Sequence, residues 1–307
     1  IWYGQPIIVD YNTVKIVIKT TWRKTMEKIG LLVDSTSDIP TEIRNQNNVE
    51  VVPVVVTVND QEYLDRVTIQ PQEVYQLIEE GDIPKTASAT FGMVSKCIEK
   101  LKQRGYKKII AITISNGLSV TNKVFRMAAE DNSDTIIKVI DSKSIGIGSG
   151  LIATYAEYLI NANYDYQEII KRVQKSVLKS KVYFYISTLK YLRMGGRIGK
   201  VAGIVGSVLN IKPVISCDPD GIYYPVAKAR SEKKAISRLL KMAIESASIS
   251  DNFRIAIAQG NDKTISGQVL SELRQNFPKH TIYTGDISPA LCVHTGPGLI
   301  GIAIQID

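Results

Sequence analysis

"KKIIAITISNGLSVT", residues 107–121, decides the fold. Residues 107–114 form an apolar run rich in Ile, as a strand buried on both faces requires. Residues 115–121 are small and polar, and a helical pattern then runs to about Glu130. "TIIKVID", 135–141, is the next strand. Strand, polar loop, helix and strand in that order specify neighbouring parallel strands with a helix crossing over one face of the sheet.

The same grammar extends in both directions. Upstream, "IGLLV" (29–33) is a buried parallel strand, and "DSTSDIP" after it offers side-chain caps for a helical turn. "VEVVPVVVTV" (49–58) reads as one strand, with Pro53 marking an edge or a bulge. Pro71 opens the helix "PQEVYQLIEE", and Gly81 closes it. "PKTASAT" (84–90) reads as a loop. Downstream, "SKSIGIGSG" leads into the helix "LIATYAEYLINA". In a parallel sheet, loops at the strands' carboxyl ends share one crevice, where ligands bind. The hydroxyl-rich loops 34–38, 115–121 and 142–149 belong there, and 84–90 is expected to join them.

Beyond about residue 180 the pattern changes. "VYFYIS" is a strand, "TLKYLRMGGRIGK" a glycine-broken connection, and "VAGIVGSVLN" (201–210) an apolar helix. "IKPVISCDPDGIYYPVAKAR" is a hairpin turning at Asp220-Gly221. Helices and the strands "FRIAIAQ", "TIYTGDI" and "IGIAIQ" follow. The expected class is α/β with two domains. Residues 26–181 carry the parallel sheet, and 182–307 form a smaller mixed-sheet α/β domain. Met26 leads directly into the first strand, so residues 1–25 read as an extension or added residues.

Composition narrows the function. Of 307 residues, 44% are hydrophobic and 22% charged, as in an ordinary globular protein. The net charge of +8 is spread without basic runs, which argues against nucleic acid and is compatible with an anionic small ligand. Three scattered cysteines, Cys97, Cys217 and Cys292, fit neither a disulfide framework nor a zinc site and point to a reducing, cytoplasmic setting. Two histidines without carboxylate spacing argue against a metal.

"HTGPGLIG" (294–301) contains G-x-G-x-x-G, but a strand rather than a helix follows, so it is not a dinucleotide turn. "GGRIGK" fails the phosphate-loop spacing, and no G-x-S-x-G occurs. His294, beside glycines that let backbone approach closely, remains either a structural histidine or a hydrogen-bond donor to an anion.

Taken in order, several stretches resemble the DegV family. "VDSTSDIP" resembles its opening, and "PKTASAT" its P-x-T-S-Q-P-S loop, with Thr86 at the threonine. "TISNGLSVT" resembles S-S-x-L-S-G-T, with Ser119 as the later serine. "YLRMGGRIGK" resembles Y-L-x-x-G-G-R-I, "LNIKPVI" and "KAR" ending in Arg230 also match, and "HTGPGLIG" resembles H-x-G-P-G-x-x-G. Ser88 stands in the Gln place, Ala87, Ala89 and Thr90 replace Ser, Pro and Ser, Asn116 replaces a serine, and Val120 replaces a glycine.

The resemblance implies a bacterial, non-catalytic lipid-binding protein without a cofactor. It would enclose one long-chain fatty acid in a tunnel between two α/β domains. Its partner would be an ATP-dependent fatty acid kinase subunit that makes acyl phosphate, and transient membrane contact is compatible with that work. Thr86 and Ser119 would grip the carboxylate. Ser88, Ser115, Asn116, Arg230, His294 and Gly296 are further candidates for the ligand or partner site. A rival reading is an enzyme acting on a small carboxylated or phosphorylated metabolite in the interdomain crevice. A nicotinamide oxidoreductase is a third.

Overall fold

The computed structural model describes residues 28–204 and 211–307. The expected extension at 1–25 and most of the expected helix at 201–210 lie outside the described residues.

The chain begins with β1 (Ile29–Asp34), a 3-10 turn at Ser35–Ser37, α1 (Thr41–Arg44) and β2 (Val49–Val52). Next come β3 (Val55–Val58), β4 (Gln61–Leu64), α2 (Pro71–Glu79), β5 (Lys85–Ala87) and α3 (Phe91–Gln103). Then follow β6 (Lys108–Thr113), α4 (Thr121–Asp131), β7 (Ile136–Asp141), α5 (Ile147–Asn161) and α6 (Tyr166–Lys179). The last part contains β8 (Lys181–Tyr185), α7 (Lys190–Met194), β9 (Lys212–Cys217), β10 (Tyr223–Ala229) and α8 (Glu232–Ala247). It ends with β11 (Phe253–Gly260), α9 (Lys263–Asn276), β12 (Ile282–Asp286), α10 (Pro289–Thr295) and β13 (Leu299–Ile306).

The expected parallel sheet has the order β2-β1-β6-β7. β1 is buried along all six residues, because helices cover both faces of the sheet. Asp34 ends β1 and ties it to its neighbour: its carboxylate accepts from the Ile114 amide at 2.7 Å and the Thr36 amide at 3.1 Å. The second sheet is mixed, in the order β10-β9-β8-β13-β11-β12, and lies wholly within residues 181–306. β9 and β10 form the expected hairpin, and Gly221 supplies the positive φ of 75° that its turn needs.

Residues 49–58 correct the sequence reading. They are two strands in two different sheets, and Pro53 lies between them. Proline has no N–H to continue a ladder. The next amide, that of Val54, leaves the parallel sheet and donates to Ser35 Oγ at 3.0 Å. β3 then becomes the centre of a small antiparallel sheet, β4-β3-β5. The stretch expected as a loop at 84–90 accordingly contains a strand, which pairs Thr86 with Val56.

α5 joins the two large sheets, packing on β1 and β6 and on β11 and β13. It is buried on nearly every side, so its sequence is apolar all round. Within 145–150, Ile145, Gly146 and Ile147 line a cavity, whereas Gly148 and Gly150 allow close packing. A Cβ on Gly150 would lie 2.4 Å from the Ser37 carbonyl oxygen, and one on Gly148 would lie 2.2 Å from Ser144 Oγ.

Candidate functional site

Thr86 reaches the site on β5, and Ser119 reaches it on the loop between β6 and α4. Both line one cavity of about 60 Å³ at the carboxyl end of the parallel sheet, together with Thr36, Ser88, Thr121, Arg197 and His294. The topological crevice is thus where the expected hydroxyls meet. Ile145, Tyr223 and Leu291 form part of the same wall and also bound a second cavity of about 30 Å³. That second space is apolar, lined by Ile147, Val182, Phe184, Ala258, Ile287 and Leu299 among others.

His294 is a helical residue, in the last turn before the final strand. It lies on α10, which packs against α2, α7, β3 and β5. Its Nε2 is 2.7 Å from Thr86 Oγ1, and its Nδ1 is buried without a hydrogen-bond partner. Gly195 makes this possible, because a Cβ there would lie 2.1 Å from Nδ1. Burial, and then the Arg197 charge, push the imidazole pKa down to about 4. The ring is therefore neutral near pH 7. It offers a hydrogen bond and is not an imidazolium proton donor.

Ser119 Oγ lies 2.9 Å from Thr121 Oγ1 and accepts from the Thr121 amide at 3.3 Å. It stands two residues before α4, near the helix end that favours negative charge. Thr86 and His294 also line a third cavity of about 270 Å³ on their outer side, with Ile83, Tyr191, Met194 and Arg197. Thr86, Arg197 and His294 are common to the inner cavity and the outer one.

Other candidates fall elsewhere. Ser115 is buried, and its Oγ accepts from the Gly117 amide at 3.1 Å. It braces the hairpin turn, since a Cβ on Gly221 would lie 1.8 Å from that oxygen. Asn116 is exposed, and its amide donates to Asp141 Oδ1 at 3.2 Å. Arg230 is exposed just after β10, away from the cavity lining. Gly296 caps α10 with φ 65°, and a Cβ there would lie 2.2 Å from the Tyr191 ring. Its role is to let the helix end approach α7. Sequence reading quoted Arg197 without assigning it to the site, and it missed Thr121. Gly195 read only as part of a glycine-broken connection, although it makes room for a histidine 99 positions away.

Among the described residues, no group of three His, Cys, Asp or Glu side chains could hold a metal. No described helix is long and apolar enough to cross a membrane.

Comparison with known proteins gives a consistent result. Residues 28–307 match the model of the DegV family, described as an uncharacterised protein family. A DegV domain-containing protein of Clostridium acetobutylicum is 36% identical over 281 residues, covering 91% of this chain and 99% of the relative. A DegV family protein of Thermus thermophilus, solved for its fatty acid binding, superposes with a TM-score of 0.85 at 26% identity, covering 91% of this chain and 99% of that one. DegV of Bacillus subtilis, a fatty acid binding protein, gives 0.83 at 26% identity with the same coverage.

Proposed function

This chain belongs to the DegV family, and from that premise we propose that it is a carrier that binds a long-chain fatty acid and presents the carboxylate to a kinase subunit. The carrying observation is the convergence of Thr86, Ser119 and His294 on one cavity that shares walls with an apolar one.

The chemistry divides between the two ends of the ligand. A neutral His294 with its proton on Nε2 donates to Thr86 Oγ1, which frees the threonine proton for a carboxylate oxygen. Thr121 can likewise donate to Ser119, freeing the serine proton for the other oxygen. Each charge-assisted bond is worth about 1.5–3 kcal/mol. The tail contributes about 0.8 kcal/mol per methylene, so ~14 methylenes give on the order of 11 kcal/mol before association costs. The tail therefore supplies most of the affinity, and the hydroxyls fix the orientation.

The two inner cavities hold roughly seven water-sized groups. A long acyl chain needs more, so Ile145, Tyr223 and Leu291 must part to join them. The outer cavity, with exposed Ile83 and Met194 beside Thr86, is the face offered to the kinase. Phosphoryl transfer then belongs to that partner, in the cytoplasm, and this chain turns over nothing alone.

Native mass spectrometry after gentle purification tests the reading. A fatty-acid mass on the wild-type protein is expected, and a clean protein mass that stays clean after incubation with palmitic acid contradicts it. Turnover of a small metabolite without a partner would favour an enzyme. His294→Ala is expected to slow acyl phosphorylation more than it weakens lipid retention.

A further inference from the structure

A second buried polar cluster lies at the opposite end of α10 from His294. Asp38 follows the 3-10 turn after β1, and Asp65 and Arg66 follow β4. The Asp38 side chain is 2% exposed, and Asp65 is 1% exposed. Arg66 Nη2 donates to Asp38 Oδ1 at 2.9 Å and to the Asp286 carbonyl at 2.5 Å, and its charge acts on Asp65 without a hydrogen bond. Both Asp65 oxygens, Asp38 Oδ2 and Ser288 Oγ have no hydrogen-bond partner. Asp38 and Arg66 adopt left-handed backbone, with φ 46° and 59°. Such strain at adjoining non-glycine residues persists only where the surroundings hold it.

The cluster faces the start of α10. The Ser288 amide faces Asp38, and the Ala290 amide and Ser35 hydroxyl face Asp65 without completing a hydrogen bond to it. His294 is one helical turn beyond Ala290. Leu291, between them, walls both inner cavities. Two buried carboxylates against one guanidinium leave a net negative charge, which the interior tolerates poorly. One retained proton makes the cluster neutral.

We propose that Asp38, Asp65 and Arg66 are positioning residues for α10: with one of the two carboxyls protonated the cluster is neutral and packs against the helix start, and on losing that proton to solvent it lets the helix, with His294 and Leu291, shift. The proposal concerns the chain's own fold and does not rest on the fatty-acid reading. Burial pushes Asp38 up to about 6. Burial and repulsion from Asp38 push Asp65 up to about 7. Folded values above the unfolded carboxylate value mean that the cluster's stabilisation is complete in acid and is lost as pH rises through about 6 to 7. Other titratable groups facing the cluster are Asp34 on β1, Arg44 on α1, Tyr75 on α2, Asp286 on β12 and Cys292 on α10 itself.

The chain has two histidines, so imidazole NMR reads the helix directly. His294 does not itself titrate above about pH 5, because its own value is about 4. Its ring signals should nonetheless move between pH 5.5 and 8.5 with a midpoint near 6 to 7. They are told apart from the His280 signals by their absence in His294→Gln. Amide exchange across residues 290–296, corrected for intrinsic rate, should rise about tenfold from pH 6 to 8, as loss of one pKa unit of protection implies. Asp65→Asn, neutral at every pH, should abolish both changes and keep the low-pH spectrum. If that variant does not fold, Asp38→Asn carries the same test. Flat His294 signals in the wild type, or an unchanged midpoint in the folded variants, would overturn the proposal.

Discussion

The two inner cavities share four wall residues, Ile145, Tyr223, Leu291 and Thr295, yet differ in chemistry. One is edged by Thr36, Thr86, Ser119, Thr121, Arg197 and His294. The other is edged by Ile147, Val182, Phe184, Ala258 and Leu299. The polar cavity sits where loops leave the parallel sheet, so its side chains come from residues distant in sequence. The apolar cavity lies against the six-stranded sheet, beneath the start of α5. One end can select a charge and the other can only exclude water. Affinity and orientation therefore reside in different parts of the molecule, and substitutions should separate them.

The largest separation is expected from Gly301→Leu. A Cβ there meets only ordinary contacts, at 3.6 Å or more, and Gly301 lines the apolar cavity, so a larger side chain takes up space in that wall. Excluding about four methylenes should cost roughly 3 kcal/mol, or more than a hundredfold in palmitate affinity. Octanoate should be almost unaffected in the same calorimetric titration. Equal losses for both acids would break the division.

Thr86→Val comes next. Losing one charge-assisted bond should weaken palmitate by about 2 kcal/mol, while palmitoyl alcohol, which lacks the carboxylate, should lose much less. The two affinities measured by competition with a fluorescent acid decide the point. The melting temperature should also fall, because Thr86 Oγ1 is the hydrogen-bond partner of the buried His294 Nε2.

His294→Gln sharpens the polar side through pH. The wild-type ring is held well below its unfolded value, so its contribution is present above about pH 6.5 and is lost as pH falls toward about 4. Relative to the glutamine variant, the wild type should lose roughly 1.5 kcal/mol between pH 7 and pH 5 in urea unfolding. A constant difference across that range would mean the ring is not buried neutral. Arg230→Ala, the smallest case, should leave palmitate affinity within about twofold, since exposed side chains away from special contacts rarely matter by more than ~0.5 kcal/mol.

Much of this was legible from residue order. The run 107–121 specified a strand, a polar loop and a helix, and the structure places β6 and α4 there. Thr86 and Ser119 were expected on separate loops meeting in one crevice, and they line one cavity. The failures have physical causes. In 49–58 the break at Pro53 was visible, but its consequence depended on Ser35 capturing the Val54 amide from another loop. Gly148 and Gly150 read only as part of a lead into a helix, yet the Ser144 hydroxyl and the Ser37 carbonyl pack where a Cβ would lie. A glycine signals close approach without saying what approaches. Arg230 illustrates a different limit: the motif gives its place after β10, and only the structure shows that it is exposed and outside the lining of the cavity that holds Thr86 and Ser119.

The most direct measurement is a crystal structure of the protein with palmitic acid. The account predicts a carboxylate within hydrogen-bond distance of Thr86 and Ser119. It also predicts a tail passing between the displaced Ile145, Tyr223 and Leu291 to end near Phe184 and Leu299. A closed wall at those three residues, with the acid bound elsewhere or not at all, would contradict it.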